Sequence, residues 1–285
     1  STLCWWLPTV VDIRRCEPFY RQFTGTDHML NANSDDAGHQ ASMLLMLKSI
    51  IMSLEYKNPN VTPIFGNLIM DHPYDQVREG IAQVLCALIT TQSCPSWSTV
   101  GTMMEAESLG TEGLGLPVKQ LPEQIDIFIK KQFQMIHEES QKIEGLTPQE
   151  ILKTKYYYMA STMFYWIKEM ARSSNKILLL SYVVEYIAPF LLTLLKHKDA
   201  CKLAGIEPAP VFVGLSYMPI RKENVGPLVK LLCDTNLTTS SFQIKLQLRF
   251  IQHFFSSQLL QLSKIEKESI LDAIVGYLYN EKFVE

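Results

Sequence analysis

Residues 60–91 decide the fold, and they read NVTPIFGNLIMDHPYDQVREGIAQVLCALITT. The first half predicts a helix that Pro63 opens and that carries the apolar residues Ile64, Leu68 and Ile69. The pair His72-Pro73 ends this helix, because a proline disfavours helical geometry at the residue before it. A second helix follows, since apolar residues then recur on one face at about 3.6 residues per turn. These residues are Ile81, Val84, Leu85, Leu88 and Ile89.

The turn between the two helices carries a pattern of its own, Asp71 followed by Asp75-Gln76-Val77-Arg78. This succession resembles the consensus of the HEAT repeat, a helical hairpin that stacks on similar hairpins. In such a hairpin we expect Asp75 to cap the second helix, Val77 to enter the shared core and Arg78 to reach back across the turn. Paired helical patterns recur at intervals of about 35–50 residues. The predicted fold class is therefore all-α, an α-solenoid of HEAT-like helical hairpins (an ARM/HEAT superhelix).

Apolar periods and helix-start signals place the other helices. They are expected at about residues 3–20, 41–57, 119–143, 148–171, 175–197, 208–217, 223–234, 240–261 and 264–281. Two of them begin at capping boxes, Thr147-Pro148-Gln149-Glu150 and Ser263-Lys264-Ile265-Glu266. Residues 242–250 alternate as a strand would, but no turn residue separates them from the helical pattern that follows. One long helix is therefore predicted there.

The domain organisation is predicted to be simple, with residues 1–285 forming one continuous solenoid segment. Polar stretches at about 24–40 and 93–117 indicate surface loops that are longer than most loops in compact domains. Ser1 lies in the middle of an apolar pattern, and Glu285 directly follows a helical run. We therefore interpret the chain as a fragment of a longer protein.

Composition narrows the function classes. The 285 residues are 47% hydrophobic and 19% charged, with a net charge of −3. Nucleic-acid binding needs a basic stripe, and the basic doublets here lie far apart, so no direct contact with DNA or RNA is expected. The six cysteines form no CxxC pair, which favours a reduced intracellular compartment over a disulfide framework.

The most apolar stretch covers residues 177–195 and is long enough to span a bilayer. Glu185 at its centre would cost about 2.5–3.5 kcal/mol on membrane-insertion scales, and Pro189 interrupts the stretch. A buried solenoid helix that neighbours cover on both sides is therefore favoured, and no membrane partner is expected.

No motif predicts catalysis or a metal site. The six histidines stand apart from one another and from the cysteines. The sequence His137-Glu138-Glu139 lacks the second histidine that a zinc-protease motif places one turn further on. Carboxylates are scattered, and no pair is placed for acid–base chemistry. The chain is therefore predicted not to be an enzyme, with no catalytic, cofactor-binding or metal residues.

Two glycine-containing segments also have simple explanations. The glycines at 110, 113 and 115 follow no strand and precede no Lys-Ser or Lys-Thr pair, so they predict a flexible loop rather than a phosphate loop. Gly214-Leu215-Ser216 lacks the second glycine of a nucleophile elbow.

A cluster of aromatic residues, 156–158 and 164–166, falls within one predicted helix. These rings cannot all face the same way, and core packing accounts for most of them. One or two exposed rings could contact a partner. The partner-binding residues themselves are unknown from the sequence.

The order of segments resembles that of a known family. A helix with Val77-Arg78-Glu79 precedes a long acidic loop, an aromatic helix and an apolar helix that ends at Pro189-Phe190. A second aromatic helix and a final run from Ile270 to Val275 follow. This succession resembles the C-terminal part of the large single-chain HEAT-repeat proteasome activators, also known as the Blm-type activator family. The similarity covers most of the chain and is strongest at about residues 75–88 and 144–285.

The resemblance implies a function. Members of the family form a dome over the end of the 20S proteasome core particle and promote ubiquitin-independent degradation of peptides and proteins, in nucleus and cytoplasm and with a role in DNA repair. This chain would be a non-catalytic segment of the dome wall. The family's gate-opening C-terminal tail is not found at Lys282-Phe283-Val284-Glu285. The resemblance places inositol phosphate and acetylated histones at other regions of the parent protein, and implies no cofactor for this segment.

Two other interpretations stay open. The chain could belong to another HEAT-repeat scaffold, such as a nuclear transport receptor, although the irregular loops disfavour that class. It could also be a membrane-associated or enzymatic protein. Partition of residues 170–200 into detergent or bilayer would support the membrane version.

Overall fold

The computed structural model describes residues 36–53, 68–92, 121, 123–173, 178–179, 182–216, 227–228, 231, 241–258 and 263–278. The α-helices in these ranges are α1 (Ala37–Ser53), α2 (Asp75–Gln92), α3 (Glu123–Ser140), α4 (Pro148–Ile151), α5 (Lys155–Arg172), α6 (Ala188–Lys196), α7 (Lys198–Leu203), α8 (Pro208–Leu215), α9 (Ser241–Gln258) and α10 (Lys264–Leu278). No strand occurs in the described ranges. The predicted all-α, solenoid-type fold class is confirmed.

The chain divides into two compact units. The first unit comprises residues 1–136 and 155–178, and the second comprises residues 137–154 and 179–285. In the first unit α1 packs along α2, and α2 packs along α5. In the second unit α6 packs on α8, and α8 packs on α9. The organisation of residues 1–285 as one continuous solenoid stays a prediction.

Helix α2 forms as its apolar period predicts. All five residues of the predicted face, Ile81, Val84, Leu85, Leu88 and Ile89, are fully buried. Gly80 allows α1 to approach closely, since a Cβ atom at this position would lie 3.1 Å from the Cβ of Leu44. Burial of this face between α1 and α5 provides the main apolar stabilisation of the first unit.

Helix α1 begins earlier than predicted. The expected polar loop at 24–40 is wrong over its last four positions, which are helical from Ala37 onward. The physical reason is Asp36, whose carboxylate Oδ1 accepts a hydrogen bond from the backbone N–H of His39 at 2.8 Å and so caps the helix. The earlier part of that loop, the 93–117 loop and the helix at 3–20 lie outside the described residues.

The segment before α2 also differs from its prediction. Leu68 and Ile69 were expected in a helix, but both are non-helical, and the backbone turns at Met70 and Asp71. The N–H of His72 donates to the carbonyl of Ile69 at 3.2 Å, which closes this turn. The part of the helix predicted to begin at Pro63 lies outside the described ranges.

The single helix expected at 148–171 is two helices. The capping box at Thr147 and Glu150 is present as predicted, but α4 ends after one turn. The N–H of Thr154 donates to the carbonyl of Ile151 at 3.0 Å, and the Thr154 hydroxyl donates to the same oxygen at 2.6 Å. This local bonding competes with helix continuation, so the chain turns before α5 begins at Lys155.

The apolar stretch 177–195 is not one straight helix. A 3-10 turn at residues 178–179 and a π-helical turn over Val183–Ile187 precede α6. Within the π turn the N–H of Ile187 donates to the carbonyl of Tyr182 at 2.8 Å, and Pro189 follows with no N–H to continue a regular ladder. Most apolar side chains here are buried, while Glu185 is exposed. Among the described residues, none of the helices is long and apolar enough to cross a membrane.

Helix α7 was not predicted. It ends in a Schellman motif, in which Gly205 has a φ angle of +68°. The N–H of Ile206 donates to the carbonyl of Cys201 at 2.9 Å, and the N–H of Gly205 donates to that of Lys202 at 3.2 Å.

Helix α9 confirms that the alternating residues 242–250 belong to a helix rather than a strand. Its Phe250 is fully buried, and the Phe250 ring lies 5.1 Å from that of Phe212 on α8. The N–H of Lys267 donates to the carbonyl of Ser263 at 3.1 Å at the start of α10. The capping box predicted there stays a prediction, since the side chain of Glu266 lies outside the described part. Most of the predicted helix at 223–234 also lies outside it.

Candidate functional site

The most elaborate polar arrangement in the described part of the chain surrounds Arg78. We call it the Arg78 junction: the turn at residues 70–78 together with Tyr157, Tyr158, Thr162 and Tyr165 of α5. The Arg78 side chain is 3% exposed, and its Nη1 donates to the carbonyls of His72 at 2.8 Å and Pro73 at 2.7 Å. Its Nη2 lies 2.9 Å from Oδ1 of Asp75. The guanidinium thus reaches back across the turn, as the sequence predicted.

Two aromatic rings of α5 flank this cation. The Arg78 guanidinium carbon lies 5.3 Å from the ring centroid of Tyr157 and 5.1 Å from that of Tyr158. Both separations are within range of a cation–π interaction, which gains strength when the cation is desolvated. The rings therefore help to offset the cost of burying a charge, and they join α5 to the start of α2.

Asp75 has a different role from the one predicted. It is the first residue of α2, so Tyr74 occupies the N-cap position and its carbonyl accepts from the N–H of Arg78 at 3.1 Å. The Asp75 carboxylate accepts hydrogen bonds from Arg78 and from the hydroxyl of Tyr165, the latter at 2.9 Å. Burial, followed by the bond to Asp75, raises the pKa of Tyr165 well above its ordinary value. Tyr165 therefore remains a protonated donor.

A second bond ties α5 to the same turn. The hydroxyl of Thr162 donates to the carbonyl of Met70 at 2.6 Å, and this bond is buried. Lys155 lies 3.7 Å from the carboxylate of Asp71, but both side chains are partly exposed, so this pair contributes little. The turn is consequently held to α5 by an aromatic contact, a buried hydroxyl and a half-buried phenol.

His72 is the polar residue of this region that the sequence did not reveal. It is fully buried, its Nδ1 lies 3.3 Å from the donating N–H of Tyr74, and its Nε2 lies 3.1 Å from Oε1 of Gln40. Because Nδ1 accepts, Nε2 carries the proton and donates to Gln40 on α1. A lone histidine between two apolar runs gives no signal of such a partner, since Gln40 lies 32 positions away.

The chemistry of the junction is that of a clamp. The Asp75 carboxylate and both Arg78 Nη atoms make hydrogen bonds inside it, and Arg78 Nε has no hydrogen-bond partner in the described part of the structure. The bonds made by Thr162, Tyr165 and His72 fix the turn and α2 against α5 and α1. The arrangement can therefore set the angle between α1, α2 and α5.

The other residues considered in the sequence do not join this site. His137 and Glu138 are exposed on α3. The hydroxyl of Ser216 is occupied by the carbonyl of Val213 at 2.6 Å, one turn back. Among the described residues no group of three histidine, cysteine or acidic side chains could hold a metal ion.

The two cysteines described by the structure are free thiols, Cys86 and Cys201. Burial raises the pKa of Cys86, and it raises the pKa of Cys201 to about 12. Since the thiolate is the nucleophilic and metal-binding form, both groups are held in the unreactive state at neutral pH.

The aromatic residues of α5 fall into two groups, one buried in the core and one half-buried in the Arg78 junction. Tyr156, Phe164 and Trp166 are buried in the core, and the Trp166 ring lies 6.3 Å from that of Phe133 on α3. The half-buried rings, Tyr157, Tyr158 and Tyr165, belong to the Arg78 junction. The rings that could have contacted a partner thus have contacts within the chain.

The helices and the Arg78 junction define an all-α, solenoid-type protein in which a buried arginine fixes the turn that precedes α2. The chain is 52% identical over all 285 residues to a protein of Saccharomyces cerevisiae named proteasome activator BLM10. The match covers 100% of this chain and 13% of that protein. The predicted resemblance to the Blm-type activator family is confirmed over the whole chain. No protein-family model matches the chain.

Proposed function

We propose that the chain is a non-catalytic wall segment of a dome-shaped activator that binds the end of the 20S proteasome core particle. The whole protein would promote degradation of peptides and proteins without ubiquitin. One observation carries this proposal, the 52% identity over all 285 residues to a protein named proteasome activator. The identity extends through both compact units, so it does not depend on one local motif.

The structure supports a wall rather than a reactive site. A wall must keep the angles between successive helices fixed while it encloses a chamber. The Arg78 junction provides such fixation in the first unit, since it binds the turn to α5 through Arg78, Thr162 and Tyr165. The polar groups of the junction serve geometry, which agrees with a role that is not enzymatic.

The partner and compartment follow from the same proposal. The 20S core particle is the proposed partner, and acetylated histones and inositol phosphate would bind elsewhere in the longer protein, which leaves this segment without a cofactor. We propose nucleus and cytoplasm as the compartments.

The test is hydrolysis of a fluorogenic peptide by purified 20S core particle, with and without the full-length protein. We expect stimulation, and we expect it to be lost when the last three residues of the full-length protein are removed. Arg78→Ala should lower stimulation on warming because the wall loses its clamp, whereas Glu79→Ala, an exposed neighbour, should not. Absence of both stimulation and co-sedimentation with the core particle would overturn the proposal.

A further inference from the structure

The loop that leads into α4 contains an exposed threonine followed by proline. Residues 144–150 are exposed throughout, apart from the half-buried Pro148. Gly145 has a φ angle of +84°, and a Cβ atom placed on it would meet nothing within 4 Å. The loop therefore stands away from its surroundings and offers the Thr147 side chain to a large molecule.

The backbone at the acceptor residue Thr147 is extended, whereas the residues that follow it are helical. Its φ and ψ angles are −68° and 157°, an extended conformation that the following proline favours. Protein kinases bind the acceptor segment extended, so that a catalytic aspartate can accept the proton of the acceptor hydroxyl. Pro148, the residue that a proline-directed kinase would select, is half-buried and is the first residue of α4, so binding to the kinase would require this one-turn helix to unwind.

We propose that Thr147 is a phosphorylation site for a proline-directed protein kinase and that phosphorylation releases the cap of α4. In this reaction Thr147 Oγ1 forms a bond to the γ-phosphorus of MgATP, and the bond from that phosphorus to the β,γ-bridging oxygen breaks. The hydroxyl proton passes to the kinase's aspartate, and ADP leaves. The proposal does not depend on the function of the whole protein.

The consequence follows from the capping box. The Thr147 hydroxyl donates to Oε2 of Glu150 at 2.7 Å, and the same carboxylate oxygen accepts from the N–H of Thr147 at 2.8 Å. Both bonds lower the pKa of Glu150, with the hydroxyl bond first, so this carboxylate is charged at neutral pH. A phosphate carries a charge of about −1.5 to −2 at pH 7 and removes the donated proton. The phosphate therefore repels the Glu150 side chain from the capping box, which leaves only the long 3.4 Å bond from the Glu150 N–H to Thr147 to hold the cap.

The effect extends beyond the loop because α4 is short and packed. Ile151, its last residue, is buried, and α4 contacts α7 within the second unit. A four-residue helix has little stability of its own, so its position depends on the cap and on this contact. Loss of the cap is expected to loosen α4 on α7.

The experiment is phosphorylation of the purified full-length protein by a proline-directed kinase and MgATP, with the site located by mass spectrometry. We expect phosphate on Thr147 in the wild type and in Thr147→Ser, none at this position in Thr147→Ala, and a large loss in Pro148→Ala. Pro148→Ala keeps the acceptor and the capping residues, so its loss reports recognition rather than folding. Thr62→Ala removes the other threonine that precedes a proline and should leave the signal at Thr147 unchanged.

Two results would overturn the proposal. One is an unmodified Thr147 in the wild type when a control peptide is phosphorylated in the same reaction. The other is equal modification of Pro148→Ala, which would mean that proline is not read. The cap release is tested by hydrogen exchange at Glu150 and Ile151, which should become faster on phosphorylation; unchanged exchange would refute that part.

Discussion

The two compact units use different means to hold their helices. In the first unit, hydrogen bonds join residues far apart in sequence, such as Thr162 to Met70 and His72 to Gln40. In the second unit, apolar side chains join α6, α8 and α9, with Phe212 against Phe250 as the clearest contact. Hydroxyls there bond within their own turn, as Thr193 does to the carbonyl of Pro189.

This difference separates the interactions that stabilise the fold from those that fix the arrangement of its helices. Apolar burial is non-directional and supplies most of the free energy of folding. Buried hydrogen bonds contribute less net free energy, but a misplaced partner leaves a polar group unsatisfied, so they select one helix arrangement over others. We therefore expect the first unit to be the better specified of the two and the second to depend more on the volume of its side chains.

The largest effect is expected in the second unit, from Phe212→Ala. This change removes a fully buried ring and leaves a cavity beside Phe250, so the free energy of opening should fall by about 3–5 kcal/mol. Native-state hydrogen exchange of amides in α8 and α9 measures it. Phe242→Ala is the matched control, since that ring is 39% exposed and has Lys198 over its face, and should cost less than about 1 kcal/mol. Equal losses would contradict the picture of an apolar, volume-dependent unit.

Arg78→Ala should have the next largest effect and should act on the first unit. It leaves the carbonyls of His72 and Pro73 without this donor and removes two cation–π contacts, so we expect a loss of about 2–4 kcal/mol. Hydrogen exchange in α2 and α5 measures it.

Two controls sharpen that result. Arg78→Lys keeps the charge but lacks the planar fork, so its loss should be intermediate. Glu79→Ala, which is exposed on the same helix, should change the free energy by less than about 0.5 kcal/mol. A loss from Glu79→Ala as large as that from Arg78→Ala would show that the junction is not special.

Thr162→Val tests a single buried bond of the junction. The two side chains have nearly the same shape, but valine cannot donate to the carbonyl of Met70, so we expect a loss of about 1–2 kcal/mol. Thr162→Ser restores the donor and should recover most of it. If valine proves as stable as threonine, the 2.6 Å bond does not hold the turn.

Tyr165→Phe should have the smallest effect, about 0.5 kcal/mol at neutral pH, because the bond to Asp75 is accessible to solvent. The pH dependence is more telling. The pKa of Tyr165 is raised in the folded protein above its ordinary value of 10.0, so the folded state binds the proton more tightly than the unfolded state. The contribution of Tyr165 to the free energy of unfolding is therefore complete below pH 10.0, and it is lost as the pH rises through the pKa of the folded state. Denaturant titrations above pH 10.0 should show a steeper decline for wild type than for Tyr165→Phe, and parallel curves would refute it.

Much of the fold was accessible from local patterns. The apolar period of α2 predicted its buried face, and the capping box at Thr147 and Glu150 predicted the start of α4. Both predictions were possible because each pattern relates residues three or four positions apart. Helix breaks inside apolar runs could not be predicted in this way. The π turn before α6 falls where hydrophobicity continues, so no change in composition marks it. The end of α7 is different, because Gly205 followed by Glu207-Pro208 is a helix C-terminal signal that the sequence analysis did not use.

The contacts of the candidate site could be predicted from the sequence only in part. The prediction that Arg78 reaches back across its own turn is confirmed, since the motif Asp-x-Val-Arg is local. Asp75 was expected to cap α2, but its carboxylate instead accepts from Tyr165, 90 positions further along the chain. Partners at that separation leave no periodic trace in a single sequence.

By itself, the sequence determined the helical class, the reach of Arg78 across the turn before α2 and the resemblance to the Blm-type activator family, because each depends on residues near one another in the chain. The tertiary structure alone decided where apolar runs break, which rings are buried and which polar groups meet. The burial of His72 against Gln40 and the tyrosine pair over Arg78 are of this second kind. The physical reason is that a buried polar group must find its partner in space, and only the packed helices determine which residues are near enough to serve.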